Sequence, residues 1–135
     1  MTLVEVVVAL AISGLAVGSI VSGYLFSANS AEKSALSLAA NARAMERIEE
    51  ARSAIWDTSH SPVVDQLVAT NFPVKVVPLD LSVSGVVITY ATNVTQISTI
   101  PGVSPLKRIH VDCIWSYKGS PLLTNSIETL RGPDQ

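Results

Sequence analysis

The chain has 135 residues, with nine Lys and Arg against eleven Asp and Glu, a formal net charge of -2, a pI near 5.6 and a mean hydropathy of +0.42. That length favours one compact domain plus a short extra segment. The lack of a long basic run leaves nucleic-acid contact without electrostatic support, and a single cysteine, Cys113, excludes an internal disulfide.

Residues 1–28 form an apolar run whose only charged side chain is Glu5. About 20 apolar residues are enough to span a bilayer, and the run exceeds the 7–15 residues or so of a signal-peptide core. It has no basic flank, and Ser27-Ala28-Asn29 is a weak cleavage site. The segment is therefore expected to be retained, in lipid before any assembly, with the rest of the chain on the outer face of a bacterial cytoplasmic membrane. A charge at the centre of such a helix costs roughly 2.5–3.5 kcal/mol on insertion scales for Asp, Lys or Arg. Glu5 therefore calls for a partner, and a cationic amine on a neighbouring copy of the helix is the expected one. Gly14, Gly18 and Gly23 lie in the same run. Gly14 and Gly18 make a small-xxx-small pair that permits close helix approach. Each glycine also weakens the helix by about 1 kcal/mol relative to alanine, which makes this stretch a candidate for local stretching.

No proline precedes Pro62, and residues 24–54 are rich in Ala, Ser, Leu, Glu and Arg. Leu38, Ala42, Met45, Ile48 and Ile55 recur at spacings of three, four or seven, which predicts one apolar stripe on a helix. Glu46, Arg47, Glu49, Glu50 and Arg52 fill most remaining positions. One helix is expected from about residue 2 to about 55, roughly 80 Å long. A small domain cannot cover that length, so lipid or other subunits must bury half of it.

Residues 56–62 end the helix and open a linker. Beyond it, Val74–Val77, Val86–Val94, Lys107–Tyr117 and Leu122–Leu130 are predicted strands, with Lys118-Gly119-Ser120 a hairpin loop. Val63–Ala69 is a short helical turn or a strand. Ile109, Val111, Cys113, Trp115 and Tyr117 alternate with His110, Asp112 and Ser116, with only Ile114 breaking the pattern, so that face should pack on a core. The expected fold class is α+β: a long N-terminal helix whose C-terminal half packs on a small antiparallel sheet. It divides into an apolar helix segment (1–28), an amphipathic continuation (29–56) and a β-rich head (57–135). Leu38, Met45, Ile48 and Ile55 are expected to meet the sheet, with Trp56 and Trp115 as anchors.

The run Met1-Thr2-Leu3-Val4-Glu5, followed by the apolar segment, resembles the processed amino end of type IV pilins and pseudopilins. The likeness covers about 25 residues; the rest matches only in architecture. It implies that a prepilin peptidase exposes Met1, which is then N-methylated. It also implies that Thr2, Leu3 and Glu5 act in assembly, Glu5 neutralising the Met1 amine of a neighbour. The further partners it implies are copies of the chain in a helical filament and an inner-membrane assembly platform. The chain starts at the residue that would follow cleavage, as a mature form does, though an artificial Met1 start gives the same sequence. It departs from the family at Ser22, where many pilins have proline, and in lacking the paired cysteines that close a carboxy-terminal loop. The carboxy-terminal edge is then expected to rest on strand pairing alone.

The resemblance leaves several functions open: adhesion, surface motility, DNA uptake or protein secretion, in a major pilin, a minor pilin or a secretion pseudopilin at a filament tip. A monomeric membrane-anchored binding module is the alternative from another class. An enzyme is the weakest reading. Asp57, Ser59 and His60 sit too close together to be more than a polar loop, His110 alternates to the solvent side of its strand, and Cys113 lacks a second thiol for zinc. No cofactor or metal site is expected. Asn93-Val94-Thr95 matches the N-glycosylation sequon, a pattern with a high chance frequency.

Overall fold

The computed structural model describes residues 2–79, 89–102 and 105–134. It is an α+β fold: a 51-residue helix α1 (Leu3–Ser53) and, among the described residues, six strands. A short two-stranded ribbon pairs β1 (Trp56–Asp57) with β2 (Val64–Asp65). A 3-10 turn at Ala69–Asn71 follows. A four-stranded antiparallel sheet then runs in the order β3 (Lys75–Pro78), β4 (Tyr90–Thr99), β5 (Lys107–Trp115) and β6 (Leu123–Arg131). Of the expected strand Val86–Val94, residues 86–88 lie outside the described residues. Between β5 and β6, Ser120 N–H donates to the Tyr117 carbonyl at 2.8 Å. Lys118 and Gly119 both have positive φ, 47° and 73°, as a type I′ turn requires of its central pair.

The chain divides into two compact units, Met1–Ala35 and Leu36–Gln135. Helix residues from Leu36 onward belong to the core of the second unit. In that unit the helix buries Leu36, Ala40, Ala44, Ile48 and Ala51, and the sheet contributes Ala91, Ile109, Val111, Cys113 and Trp115. The expected alternation holds within β5, where Ile109, Val111, Cys113 and Trp115 are buried and Lys107 with them, while Tyr117 lies beyond the strand and is half-buried. Three of the helix positions are alanines with no exposed surface, so the sheet sits close to the helix backbone.

Leu38, Met45 and Ile55, expected in this core, are instead exposed at 69%, 49% and 51%. Of the expected helix residues only Ile48 is buried. The periodicity was right in period and wrong in phase, because the sheet chose a face lined with alanine. Arg47, expected on the polar side, is 4% exposed on the buried face. Its Nε donates to Thr95 Oγ1 at 3.0 Å, one Nη to Glu50 at 2.6 Å and the other to the Pro73 carbonyl at 2.7 Å. The guanidinium also lies 5.3 Å from the Phe72 ring centre. With every nitrogen engaged, the buried charge fastens the turn before β3 to the helix.

Ile48→Ala should therefore destabilise the head by about 2–4 kcal/mol, whereas Leu38→Ala should change it by no more than about 0.5 kcal/mol. Urea unfolding of the full chain in detergent, followed by tryptophan fluorescence, measures both; equal losses would restore the Leu38 stripe to the core.

Candidate functional site

The amino end of α1 carries the site. Thr2 stands just before the first helical residue and Glu5 is the third residue within the helix. Thr2 N–H donates to Glu5 Oε2 at 2.7 Å, and Glu5 N–H donates to Thr2 Oγ1 at 3.4 Å. This reciprocal pair is a capping box, which satisfies two backbone donors that a helix start leaves open. The carboxylate also lies in the first turn, where the helix dipole favours negative charge. The sequence pattern Thr-x-x-Glu before an apolar run is the local signal for such a box; the reading above assigned Thr2 and Glu5 to assembly and missed it. Met1 lies outside the described residues, and with it the expected processing and amine-pairing position.

Beyond the box, α1 presents apolar side chains on every side. Leu3 is 82% exposed, Leu10 68%, Leu15 74% and Phe26 75%. By length and composition this helix could cross a membrane. α1 runs unbroken through Gly14, Gly18 and Gly23, and a methyl group built on any of them would meet nothing within 4 Å. Nothing within the unit therefore requires glycine at these positions. Ser13 and Ser19 donate to the carbonyls of Ala9 and Leu15, each at 2.8 Å, so these hydroxyls leave no open donor in an apolar setting.

The far end of α1 is closed by a latch that sequence reasoning missed. Arg131, at the end of β6, donates to the carbonyls of Ala51 and Ala54 at 3.0 and 2.6 Å and pairs with Asp134 at 2.8 Å. Asp134 Oδ2 accepts the Trp56 N–H at 2.8 Å, and the Asp134 N–H donates to the Trp56 carbonyl at 2.7 Å. The carboxy-terminal edge is thus held by an arginine cap on the helix as well as by strand pairing, which corrects the expectation of pairing alone. Trp56 and Trp115 are 4% and 2% exposed. Lys107 lies 4.7 Å from the Trp56 ring centre and donates to Asp65 at 2.5 Å and to the Leu67 carbonyl at 2.7 Å, fixing the linker to the sheet. Trp115 Nε1 donates to Asn125 Oδ1 at 2.7 Å, while the Asn125 amide reaches Ser37 Oγ at 3.1 Å and Asn41 Oδ1 at 3.0 Å.

The remaining polar groups hold loops and strands in place. Asp57 accepts the Ser59 N–H and hydroxyl at 2.8 and 2.6 Å and faces His60 Nδ1 at 2.6 Å. The Ser59 proton is committed to Asp57, a turn geometry. On the sheet face turned from the helix, Arg108 pairs with Glu128 at 3.3 Å, and His110 lies 3.1 Å from Asp112 and 3.5 Å from Glu128. His110 is thus half-buried in an ion cluster that joins β5 to β6. Asn93, the sequon residue, is 3% exposed and donates toward the Arg43 carbonyl at 3.4 Å, so its amide is closed to modification in the folded chain.

Comparison with protein-family models, with curated proteins and with solved structures finds no match to this chain.

Two predictions follow from the latch and the loop beside it. Arg131→Ala should cost about 1.5–3 kcal/mol by removing charge-assisted bonds to the helix end, measured by thermal unfolding. The Ser59 hydroxyl, its N–H and the nearby His60 hold Asp57 down to about 2 from an ordinary 3.8. The Trp56 N–H and Arg131 lower Asp134 in the same sense. A depressed carboxylate stabilises the fold above its ordinary pKa and loses that contribution as pH falls through its folded value. The region around Trp56 should therefore hold above about pH 4 and loosen toward about pH 2. Tryptophan fluorescence should show an acid step that shrinks in Asp134→Asn; a step unchanged in that variant would remove Asp134 from the account.

Proposed function

We propose that the chain is a structural subunit of a type IV pilus-like filament. The single observation that carries this reading is one carboxylate, Glu5, in the first turn of a helix that could cross a membrane and that bears no other charge before Glu32. In the proposed cycle a prepilin peptidase releases Met1, and the helix holds the subunit in the inner membrane. An assembly platform then extracts it. Helices of successive copies pack together, and Glu5 pairs with the amine of Met1 on a neighbour. A subunit out of register leaves the carboxylate without that cation in a low-dielectric bundle, which is costly, so the pair tests register. The product is an extracellular pilus or, for a pseudopilin, a periplasmic filament.

A second reading, a single membrane-anchored binding module, draws on the capping box, since Glu5 already has a partner within its own chain. Magnitudes favour assembly. A cap contributes about 1 kcal/mol, less than the roughly 3–5 kcal/mol lost when a carboxylate buried between helices is left without its ion partner. Capping alone is also available to glutamine, which carries no charge.

That equivalence supplies the experiment. Glu5→Gln keeps an acceptor for the Thr2 N–H and removes the charge; Glu5→Ala removes both. Filament assembly should fall at least tenfold in both variants, with membrane insertion kept or improved, as read by recovery of sheared filaments and by membrane fractionation. Full assembly by Glu5→Gln alongside failure of Glu5→Ala would assign Glu5 to capping and sink the charge-pairing proposal.

A further inference from the structure

The four-stranded sheet ends in two unlike edges. One is β3, four residues long and carrying Lys75 and Pro78. A short strand with lysine and proline is how natural sheets close an edge against further pairing. The other is β6, nine residues with no lysine, proline or glycine. It pairs with β5 in one unbroken ladder from Lys107↔Arg131 to Trp115↔Leu123, so no bulge turns it aside. In an antiparallel pair, alternate residues point their N–H and C=O groups away from the neighbouring strand. Among the described residues, no main-chain group of any segment besides β5 bonds to β6. On the helix side of the sheet, Leu123 and Ile127 are only half-buried against the core. The core thus thins out at a strand whose outer edge is open.

The side chains of β6 select what lies there. Laid antiparallel against a second β6, the two strands match inner face to inner face only in registers that pair odd residues with odd and even with even. With Ile127 opposite itself, the whole strand pairs: Leu123 with Arg131, Thr124 with Leu130, Asn125 with Thr129, and Ser126 with Glu128. No like charges meet, and each Ile127 covers the open flank of the other, a favourable cross-strand contact. Glu128 is already paired with Arg108, and Arg131 with Asp134, so neither brings an uncompensated charge to the seam. The neighbouring registers are worse. A slip that centres Glu128 sets two carboxylates face to face, which is unfavourable. A slip that centres Ser126 leaves Leu130 and Arg131 outside the paired strands and sets Pro121 opposite Arg131.

We infer that the free edge of β6 docks β6 of a second copy of this chain, antiparallel and with Ile127 on the two-fold axis, so that the two four-stranded sheets become one. The same patch serves both sides, so the contact closes on itself. It cannot propagate a filament and stands apart from the function proposed above. At about 3.4 Å per residue the seam is about 30 Å long and one strand wide, short of the roughly 1,200–2,000 Å² buried by a stable complex. The pairing is therefore transient and forms where copies are crowded together.

The test is disulfide capture in full chains taken from membranes in mild detergent. Ile127→Cys sets a thiol opposite its own copy, at a strand spacing that a disulfide can bridge. Cys113 is buried and takes no part. On mild oxidation Ile127→Cys should give at least tenfold more covalent dimer than Thr124→Cys or Leu130→Cys alone. Mixing those last two chains should restore capture, because residue 124 faces residue 130. Adding Thr124→Glu and Leu130→Glu to the Ile127→Cys chain sets like charges opposite each other and should lower capture at least tenfold. Thr124→Lys with Leu130→Glu reverses one sign and should keep capture at or above that of Ile127→Cys alone. Unchanged tryptophan fluorescence would show that the heads remain folded. Should Ile127→Cys unfold, a mixture of Ser126→Cys and Glu128→Cys chains replaces it, both positions being exposed. Equal capture at 124, 127 and 130, or capture indifferent to the sign at 124, overturns the inference. So does a lack of dimer in every variant, including the case in which another protein's strand already occupies β6. The seam does not involve the amino end of α1, so Glu5→Gln should leave capture within twofold whatever becomes of filament assembly; capture lost there also overturns it.

Discussion

A helix that is apolar on every side for its first half has no place in water, and none of its apolar span is buried among the described residues. Leu3, Leu10, Leu15, Ile20 and Phe26 are all more than 60% exposed. At about 25 cal/mol per Å² of apolar surface, side chains of this size each favour burial by about 1.5–3 kcal/mol. The sum over such a segment exceeds the 5–15 kcal/mol or so of net stability expected of a whole domain. The environment of the first half of α1 must therefore be external, either lipid or protein. Every functional reading of this chain is a statement about which of the two it is, and when.

The second half of the helix is organised on a different principle. Its core is thin, with alanine at Ala40, Ala44 and Ala51, and a small head of this kind gains little from burial alone. Cations supply the rest. Arg47, Lys107 and Arg131 each reach a main-chain carbonyl of another segment and a carboxylate. Arg47 ties the turn before β3, Lys107 the linker after the helix, and Arg131 the carboxy-terminal strand to the helix end. Removing one partner from such a buried set costs more than the pair contributes, because the remaining charge stays without an ion partner. The head has one cysteine and so no disulfide; these charge clasps do comparable work in closing its segments on the helix.

How much of this was legible depended on whether the signal was local. Glu5 in an apolar run needs only composition, and β5 declares its buried face by alternation from Ile109 to Trp115, broken only at Ile114. The Lys118-Gly119 turn was readable from Gly119, since positive φ favours glycine, whereas nothing in a lysine announces the positive φ of Lys118. The buried face of α1 was not. Periodicity finds apolar stripes but does not say which one a sheet will cover, and alanine scores weakly beside the leucine and methionine of the other stripe. Arg47 looked like solvent filler because its partners, Thr95 and Pro73, are distant in sequence. The Arg131 latch has the same origin: its targets, Ala51 and Ala54, offer only carbonyls, which every residue has. The capping box was different, since Thr2-x-x-Glu5 is a local pattern and was legible in the sequence.

The capping box bears on the energetics of the assembly proposed above. A carboxylate with no partner would gain the whole of any ion pair it formed. Glu5 instead begins with the Thr2 N–H at 2.7 Å and the favourable end of the helix dipole. A neighbour's amine then contributes only the difference between that state and the paired one, unless the carboxylate keeps the first bond with one oxygen and meets the amine with the other. A carboxylate has acceptor sites enough for both. In the second arrangement the box is an orienting device: it fixes the Glu5 rotamer before any neighbour arrives, and less side-chain entropy is lost on pairing. Thr2 then contributes through Glu5 rather than beside it. A threonine in front of a glutamate three residues on, at the start of a membrane-length helix, is what such a pre-set carboxylate requires.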